Sequence, residues 1–312
     1  MACFLGIDTS NYTTSCALID TESGGMISKK KLLPVKQGDR GIRQSDAVFH
    51  HTRQLCALME ELFADGKEIA AAAYSCKPRE AEGSYMPCFL VGENVCRSLG
   101  AAGGFEVYST SHQMGHILAA LYSCKRLGLL SGDKPFLAFH VSGGTTDLLY
   151  CVPDRERVLR IEEAAHSLDL KAGQCIDRAG VMLGLSFPCG RQLEELALKS
   201  QASFKIRPVM KGLDCSLSGI ENKFMKMHEQ GRSREDIALF TLESVYQAVR
   251  GMTLAAMEKF GELPVICAGG VMADKIIRDK LEREFDCSFA EPELSCDNAV
   301  GIAVYAWLKG MV

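Results

Sequence analysis

Two histidines four residues apart, His112 and His116, stand in the stretch SHQMGH. In a helix this spacing places both imidazoles on one face, where they could bind one divalent metal ion. A zinc protease of the His-Glu-x-x-His type needs a glutamate directly after the first histidine to activate water. Gln113 stands there and cannot take up a proton, so the stretch argues against a protease. By itself, the spacing fits a helix that binds no metal equally well.

Two glycine-containing turns could approach a phosphate group. The first, Ser142-Gly143-Gly144-Thr145, lies between two predicted strands, where the backbone can come close to an anion and donate hydrogen bonds. A tight hairpin turn without a ligand fits the same residues. The second, Gly269-Gly270, follows a predicted strand and precedes a helix expected near Met272, so free amides would point beyond the strand end. Neither turn has the spacing of a dinucleotide fingerprint or a Walker loop.

Between these turns lies the stretch GQCIDRAGVMLGLSFPCGRQLEELA. Its carboxylates Asp177 and Glu194 could accept hydrogen bonds from ribose hydroxyls, although Glu194 fits a surface position on a helix as well. Cys175 and Cys189 are single cysteines that could be nucleophiles. Burial as small apolar side chains is the favoured interpretation of both.

Two β-rich blocks would position these residues. The first opens with CFLGIDTSNYTTSCALID, predicted as a hairpin with its bend at Asp8-Thr9-Ser10, and GGMISKKKLLPV supplies a third strand. Helices are predicted over about 46–64 and 91–99, on either side of the strand IAAAAYS. The second block begins at PFLAFHVSGGTTDLLYCV and repeats the order of strand, polar turn, two strands and helices. Two such halves would each present a polar turn, with a ligand between them.

The rest of the chain is mostly helical. REDIALFTLESVYQAVRGMTLAAMEKF predicts one long amphipathic helix, and DNAVGIAVYAWLKG predicts a last helix that starts at Asp297 or Asn298. An aspartate or asparagine at that place is by default a helix N-cap.

The composition is that of an ordinary globular protein. Of 312 residues, 47% are hydrophobic and 24% charged, and the formal charge of −4 provides no overall field for a polyanion. A nucleic acid would need a local patch: Lys199, Lys205, Arg207 and Lys211 could meet phosphates, with a solvated loop as the alternative. The fourteen cysteines include no C-x-x-C pair, and neither a secretory signal pattern nor a membrane-spanning apolar run is evident. We therefore expect a cytoplasmic protein with reduced thiols and no membrane association.

Taken in order, these motifs resemble the TsaD (Kae/Gcp) family. The matching pieces cover nearly the whole chain and are GIDTS, SHQMGH, VSGGTT, SLDLKAGQCIDRAGVMLGLSFPCG, SLSG, AGGVMAD and DNAVGIA. The resemblance implies an α/β protein with the two-lobed actin/hexokinase-like (ASKHA) fold, made of two ribonuclease-H-like domains with a cleft between them. It places the first lobe at 1–132, completed by the helix at about 298–312, and the second lobe, with a helical insertion, at 133–297.

The resemblance also implies a ligand and a metal ion. The ligand is an adenylate, either ATP or threonylcarbamoyl-AMP. The metal is one divalent ion, iron or zinc, while magnesium could accompany the nucleotide. The implied metal ligands are His112, His116 and Asp297, with His140 as a candidate fourth, and the implied catalytic residues are Asp8, Ser10 and Asp297. The implied nucleotide-binding residues are Ser142, Gly143, Gly144, Thr145, Gly173, Asp177, Gly190, Glu194, Gly269, Gly270 and Asp274.

The reaction that this resemblance implies is transfer of threonylcarbamoyl from its adenylate to N6 of adenosine 37 in tRNA. Partners would be tRNA and TsaB-like or TsaE-like proteins. The chain departs from the family pattern at several places: Tyr12-Thr13 replaces an acidic pair, and Thr145, Gln174 and Asp274 stand where His, Glu and Asn are usual. Two alternatives therefore stay open. One is a paralog that hydrolyses the adenylate or carbamoylates another acceptor, and the other is a non-catalytic nucleotide-binding subunit.

Overall fold

The computed structural model describes residues 3–10, 12–34, 42–295 and 298–311. The chain divides into two compact units. The first unit comprises Met1–Gly132, Pro153–Arg160 and Glu293–Val312, and the second comprises Asp133–Val152 and Ile161–Pro292.

The first unit is built on a five-stranded mixed sheet with the order β3-β2-β1-β4-β5. Its strands are β1 (Cys3–Ser10), β2 (Thr13–Asp20), β3 (Gly25–Leu32), β4 (Ile69–Lys77) and β5 (Glu106–Ser111). The first three strands are antiparallel neighbours, whereas β4 runs parallel to both β1 and β5. The helices are α1 (Gln44–Leu62), α2 (Phe89–Gly103), α3 (His112–Ser123), the short α9 (Pro292–Ser295) and α10 (Asn298–Gly310).

Close backbone packing of α10 positions the end of this sheet. A Cβ atom added to Gly301 of α10 would lie 1.8 Å from the carbonyl oxygen of Gly115 in α3. A Cβ on Gly6 of β1 would lie 2.2 Å from the carbonyl oxygen of Ala299. Only glycine permits both approaches, because any side chain would overlap with backbone atoms. The start of α10 is thereby held against α3 and β1.

The second unit contains another five-stranded sheet, with the order β12-β11-β6-β7-β8. Its strands are β6 (Phe136–Val141), β7 (Thr146–Asp154), β8 (Val158–His166), β11 (Val265–Ala268) and β12 (Cys287–Phe289), and β9 (Val209–Lys211) and β10 (Asp214–Ser216) form a separate small ribbon. The helices are α4 (Ala172–Met182), α5 (Gly190–Ala197), α6 (Ser218–Glu229), α7 (Arg234–Phe260) and α8 (Lys275–Glu284). The 27-residue α7 lies against a core that α4, α5 and α6 also enter.

Both sheets have the same strand order. In each unit the first strand is central, the second and third follow on one side, and the fourth and fifth lie on the other side. The repeat of architecture that the sequence predicted is therefore present at the level of topology, although the two units share no sequence repeat of short period.

Two predicted element boundaries were wrong. Asp8, Thr9 and Ser10 do not form a bend but belong to β1, where Asp8 and Ser10 pair with Ser15 and Thr13 of β2. A polar sequence at a strand end looks like a turn unless its side chains find buried partners, which these do. The helix expected near Met272 begins instead at Lys275, after a 3-10 turn at Gly270–Ala273, because Asp274 caps it by accepting a hydrogen bond from Ile277 N–H.

Within the described ranges, no helix has both the length and the apolar character that a membrane span requires.

Candidate functional site

The first candidate site is a buried cluster around the carboxylate of Asp8, which is only 1% exposed. Ser10 Oγ donates to Asp8 Oδ2 over 2.7 Å, and the Ser75 hydroxyl donates to Oδ1. His112 Nδ1 lies 3.1 Å from Oδ1 and 3.2 Å from Oδ2. Burial opposes ionisation of this carboxyl, but the charge of His112 and the hydrogen bonds from His112, Ser75 and Ser10 outweigh it and lower the pKa of Asp8 below its ordinary value. Asp8 is therefore a buried but satisfied anion.

Sheet topology brings these residues together. Because β1, β4 and β5 are parallel neighbours, their carboxyl ends meet at one edge of the sheet, and Ile7 of β1 is in register with Tyr74 of β4. Asp8 and Ser75, the next residues of these two strands, therefore lie side by side at that edge. β5 leads directly into α3, whose N-cap Ser111 accepts a hydrogen bond from Met114 N–H, so His112 stands at the same edge.

The contact with Asp8 fixes how His112 can act. In the neutral imidazole whose Nδ1–H donates to the carboxylate, the other ring nitrogen, Nε2, carries a lone pair. Asn298 Nδ2 lies 3.3 Å from Nε2, and Asn298 Oδ1 is buried without a hydrogen-bond partner among the described residues. A carboxylate that orients a histidine in this way is the usual outer support of a metal-binding imidazole. The ring of His116 lies 4.7 Å from that of His112, centroid to centroid, in a T-shaped arrangement.

The donor set at this cluster fits a divalent ion only in part within the described chain. Imidazole nitrogens such as the two from α3 suit iron or zinc. In the described ranges, no three His, Cys, Asp or Glu side chains gather in an arrangement that could hold a metal. Asp297, the predicted third ligand and a predicted catalytic residue, lies outside the described residues. His140, the candidate fourth ligand, lies on β6 of the second unit in register with Asp147, and its role stays a prediction.

The second candidate site is the turn between β6 and β7. Ser142 N–H donates to Thr145 O over 2.8 Å, which closes a four-residue turn. A Cβ atom on Gly143 or Gly144 would meet no atom within 4 Å, so both glycines border open space. The backbone of this turn is therefore exposed at both glycines, and its approach to a phosphate stays a prediction.

The N-terminus of α4 lies directly against this turn. Gly173 N–H donates to Ser142 O over 3.2 Å, and Ala172 N–H donates to Thr146 Oγ1 over 2.9 Å. A Cβ on Gly173 would come within 2.6 Å of Gly143 Cα, so the close approach requires glycine at position 173. The positive end of the α4 dipole thus points at the edge where the turn lies, which favours an anion there.

The second glycine turn lies beside the first. β11 runs parallel to β6, so both strands end at the same edge of the sheet. Gly269 has a φ of +97°, and a Cβ on it would lie 2.3 Å from the carbonyl oxygen of Val141, the last residue of β6. Gly270 follows with open space at its Cβ position. The structure therefore brings together Ser142-Gly143-Gly144-Thr145, Gly173 and Gly269-Gly270.

Asp177 and Glu194, two predicted nucleotide-binding residues, form hydrogen bonds within the second unit. Asp177 Oδ1 accepts the N–H of Cys189 over 2.8 Å and so holds the loop that leads to Gly190 at the start of α5. Glu194, one turn further along α5, accepts a hydrogen bond from the backbone of Lys275 at the start of α8. The carboxyls of Glu194 and Asp274 therefore both lie at the N-terminus of α8.

These two acids are poorly satisfied compared with Asp8. Burial and, to a smaller extent, the charge of Glu194 together raise the pKa of Asp274 to about 7, although the hydrogen bond from Ile277 N–H acts to lower it. Burial also raises the pKa of Glu194. Near neutral pH, Asp274 is consequently shared between its carboxylate and its protonated form.

Sequence reasoning missed several polar residues of the first unit. Ser75 ends the strand IAAAAYS as Ser10 ends β1, and that parallel position was the available signal. A further cluster joins His51, Thr14 and Gln54: Thr14 Oγ1 donates to Gln54 Oε1 over 2.8 Å and lies 2.8 Å from His51 Nδ1. Burial lowers the pKa of His51 to about 4, and its Nε2 has no partner among the described residues. Thr14 pairs with Thr9 rather than Asp8, so this cluster lies on the opposite sheet face.

The two cysteines that could have been nucleophiles are buried. Burial raises the pKa of the Cys175 thiol to about 12 and raises that of Cys189, where the charge of Asp177 adds to it. A thiol that stays protonated at neutral pH is a poor nucleophile. Both side chains belong to the hydrophobic core, as the favoured interpretation held.

Comparison with known proteins places this geometry in a family. The profile of the TsaD family, described as tRNA N6-adenosine threonylcarbamoyltransferase, matches residues 27–304. A tRNA N6-adenosine threonylcarbamoyltransferase of Aromatoleum aromaticum is 32% identical over 331 residues, covering 98% of this chain and 90% of its own. One of Streptococcus pneumoniae is 27% identical over 319 residues, covering 97% and 90%.

Two solved structures share the fold. Component A of the Acidaminococcus fermentans (R)-2-hydroxyglutaryl-CoA dehydratase gives a TM-score of 0.56 at 16% identity and covers all of both chains. Full-length HypF in its phosphate- and nucleotide-bound form gives 0.61 at 12% identity, covering 99% of this chain and 55% of its own. These likenesses agree with the predicted α/β actin/hexokinase-like fold of two domains. The chain belongs to the TsaD family of tRNA N6-adenosine threonylcarbamoyltransferases and is a transferase of that kind.

Proposed function

We propose that this protein binds threonylcarbamoyl-AMP and transfers its threonylcarbamoyl group to N6 of adenosine 37 in tRNA, with a divalent metal ion as cofactor. The observation that carries the proposal is the pair formed by ionised Asp8 and His112, which presents a lone pair on Nε2 beside His116. An imidazole that a carboxylate orients in this way is suited to bind a metal ion.

The adenylate would occupy the second unit. Its phosphate would approach Gly143 and Gly144, which border open space, and would gain from the N-terminus of α4. The predicted contacts to ribose and base come from Asp177, Gly190 and Glu194, and the opposite wall from Gly269, Gly270 and Asp274. Asp274 stands where the family usually has Asn, and with a pKa of about 7 its protonated form can donate a hydrogen bond as an amide does.

The metal ion would be held by His112 through Nε2, by His116, and by Asp297 in the part of the chain that the structure does not describe. Iron and zinc both suit the imidazole nitrogens, while magnesium could accompany the nucleotide. When bound, the ion supplies a Lewis acid that polarises the carbamoyl carbonyl. Asp8 keeps His112 in the tautomer that binds through Nε2, and Ser10 and Ser75 hold Asp8 in place.

The transfer itself needs no covalent enzyme intermediate. The N6 nitrogen forms a bond to the carbamoyl carbon, the bond from that carbon to the phosphate oxygen breaks, AMP leaves, and N6 loses one proton. The buried Cys175 and Cys189 do not offer a thiolate for a covalent route. We further propose that the reaction takes place in the cytoplasm with TsaB-like or TsaE-like partner proteins.

A second candidate is hydrolysis of the same adenylate. It is favoured by Tyr12 and Thr13, which replace the acidic pair usual in the family directly after the strand that carries Asp8; Tyr12 is 42% exposed. If these two substitutions weaken tRNA binding, water would become the acceptor of the threonylcarbamoyl group. Transfer to another acceptor is the remaining alternative.

The deciding experiment incubates the purified protein with threonylcarbamoyl-AMP, with and without unmodified tRNA and candidate partners. We expect AMP release that depends on tRNA and modified adenosine in the digested tRNA. AMP release without tRNA would support hydrolysis instead. Absence of adenylate binding in a metal-replete sample would overturn both enzymatic proposals.

Two variants separate the metal from the fold. His112→Ala should remove bound iron or zinc, measured by elemental analysis, together with activity. His228→Ala, which removes an exposed histidine on α6, serves as the matched control and should keep both. Unchanged metal content in His112→Ala would show that the proposed ligand set is wrong.

A further inference from the structure

The second unit carries an extended segment whose residues alternate between outside and inside. From 203 to 211, the odd-numbered residues are exposed and the even-numbered residues are partly buried. The inward side chains of Phe204, Ile206 and Met210 pack on the core of the unit. Alternation with a period of two is the property of an extended backbone, in which successive outward residues are about 6.6 Å apart.

The outward positions of this segment carry positive charge. Lys205, Arg207 and Lys211 all point away from the core, with Val209 between them. Over residues 199–226 there are six Lys and Arg against two acidic residues, a net charge of +4, in a chain whose total is −4. The positive charge is thus concentrated locally on a protein that is acidic overall.

A lysine from α6 extends this surface. Lys223 lines the same small groove as Arg207, together with Val209 and Ile220. We call the set Lys205, Arg207, Lys211 and Lys223 the basic stripe. Lys205, Arg207 and Lys211 lie on the extended segment that ends in β9, and Lys223 lies on α6.

None of the four side chains of the basic stripe forms an ion pair with any carboxylate that the structure describes. Arg178 on α4 shows the contrast, because its guanidinium is paired with Glu221 at 2.6 Å. Basic residues on a protein surface commonly have such partners, and a row of them without partners keeps its charge available to a ligand. Cations at several outward positions of one extended segment match a ligand that is a chain of repeated anions.

From these observations we infer that the basic stripe binds the phosphate backbone of the tRNA substrate. The inference takes the identity of the RNA from the proposed function and adds the surface that holds it. The stripe offers no aromatic side chain on which a base could stack, so its contacts are with phosphates and carry no sequence information. The segment also lacks the apolar anchor that a membrane-binding surface needs, since Val209 is the only exposed apolar residue within 203–211.

The test compares two triple variants of the full chain that change the net charge equally. K205Q/R207Q/K211Q removes three charges from the stripe. R232Q/R234Q/R283Q removes three exposed charges elsewhere on the same unit and is the matched control. Binding of an unmodified tRNA transcript is measured by fluorescence anisotropy at several salt concentrations, with ATP binding as the check that each variant is folded.

We expect K205Q/R207Q/K211Q to bind the transcript at least tenfold more weakly and to reduce the slope of log affinity against log salt by about 3, one for each lost phosphate contact. The control should keep the wild-type slope. The charge-conserving variant K205R/R207K/K211R should restore binding, because phosphates are attracted to either cation. In the transfer assay, the stripe variant should raise KM for tRNA and leave kcat unchanged.

Two results would overturn the inference: equal weakening of binding by the control, or wild-type binding by the stripe variant. In either case, tRNA-dependent transfer could still be observed, and the proposed function would stand. If the stripe variant loses RNA binding while the wild-type protein releases AMP without tRNA, the surface is assigned correctly and the proposed transfer is wrong.

Discussion

The two units place different chemistry at the same point of the same topology. At the end of the central strand of the first unit, Asp8 is a buried anion held by His112, Ser10 and Ser75, and its pKa lies below the ordinary value. At the corresponding edge of the second unit, the strand ends in an open glycine turn, and the nearby buried acid Asp274 has a pKa raised to about 7. One buried aspartate is satisfied in its charged form, and the other is not.

This difference teaches that strand order decides where polar groups gather but not what they do. In both sheets, the carboxyl ends of parallel strands meet at one edge and bring residues from distant parts of the chain together. At the first edge, side chains with hydrogen-bond partners hold Asp8 and orient His112. At the second edge, Gly143, Gly144 and Gly270 border open space, so an anion could approach the backbone there.

The largest expected effect comes from breaking the satisfied cluster. Asp8→Ala should lower the free energy of unfolding by about 3 to 5 kcal/mol, because it leaves the buried hydroxyls of Ser10 and Ser75 and the partly buried His112 without their acceptor. It should also abolish activity, since His112 would lose its fixed tautomer. Denaturant unfolding measures the first effect and AMP release the second. Ser10→Ala, which removes one of several hydrogen bonds, should cost only about 1 kcal/mol. A loss for Asp8→Ala no larger than for Ser10→Ala would contradict the described cluster.

The opposite sign is expected at Asp274. Its pKa is about 7 in the folded protein, against 3.8 ordinarily. The folded protein therefore loses stability as the pH rises from about 4 towards 7, because the carboxyl ionises more readily in the unfolded chain. That difference corresponds to roughly 4 kcal/mol at most. Asp274→Asn keeps the helix cap and removes the charge, so it should stabilise the protein by about 2 to 4 kcal/mol at pH 8 and hardly at all at pH 4.

Unfolding of the Asp274→Asn variant at pH 4, 6 and 8 tests this sign. Glu258→Gln, which removes an exposed carboxylate on α7, is the control and should show no such pH dependence. Destabilisation of Asp274→Asn at pH 8 would mean that the aspartate is satisfied in its ionised form, and the contrast with Asp8 would disappear.

The smallest effects on stability separate the two kinds of glycine in the second unit. Gly269→Ala should cost about 1 to 3 kcal/mol, because the residue has a φ of +97° and its Cβ would lie 2.3 Å from Val141 O. Gly143→Ala should leave stability within about 0.5 kcal/mol of wild type, since its Cβ meets open space, but should weaken adenylate binding by blocking the approach of the phosphate. Calorimetry measures both the stability of each variant and its affinity for ATP. Equal ATP affinity of Gly143→Ala and wild type would show that the phosphate does not bind at this turn.

Part of this molecule was predictable from the sequence alone. Hydrophobic periodicity located most strands and helices, the spacing of His112 and His116 placed them on one helix, and the order of short motifs led to the family. These signals are local, because an i, i+4 pair or a strand-turn-strand pattern depends only on neighbouring residues. They could name Asp8 but not its state, and they mistook the end of β1 for a bend.

Only the tertiary structure decided which polar groups meet. Ser75 is 67 residues from Asp8, and His112 is 104 residues away, so no local pattern could pair them. The charge state of a buried acid depends on these partners: Asp8 has them and stays ionised, whereas Asp274 has burial without enough of them. The sequence determined the residue types and their order along the chain, and the parallel packing of distant strands decided their chemistry, because desolvation and hydrogen bonding act through space.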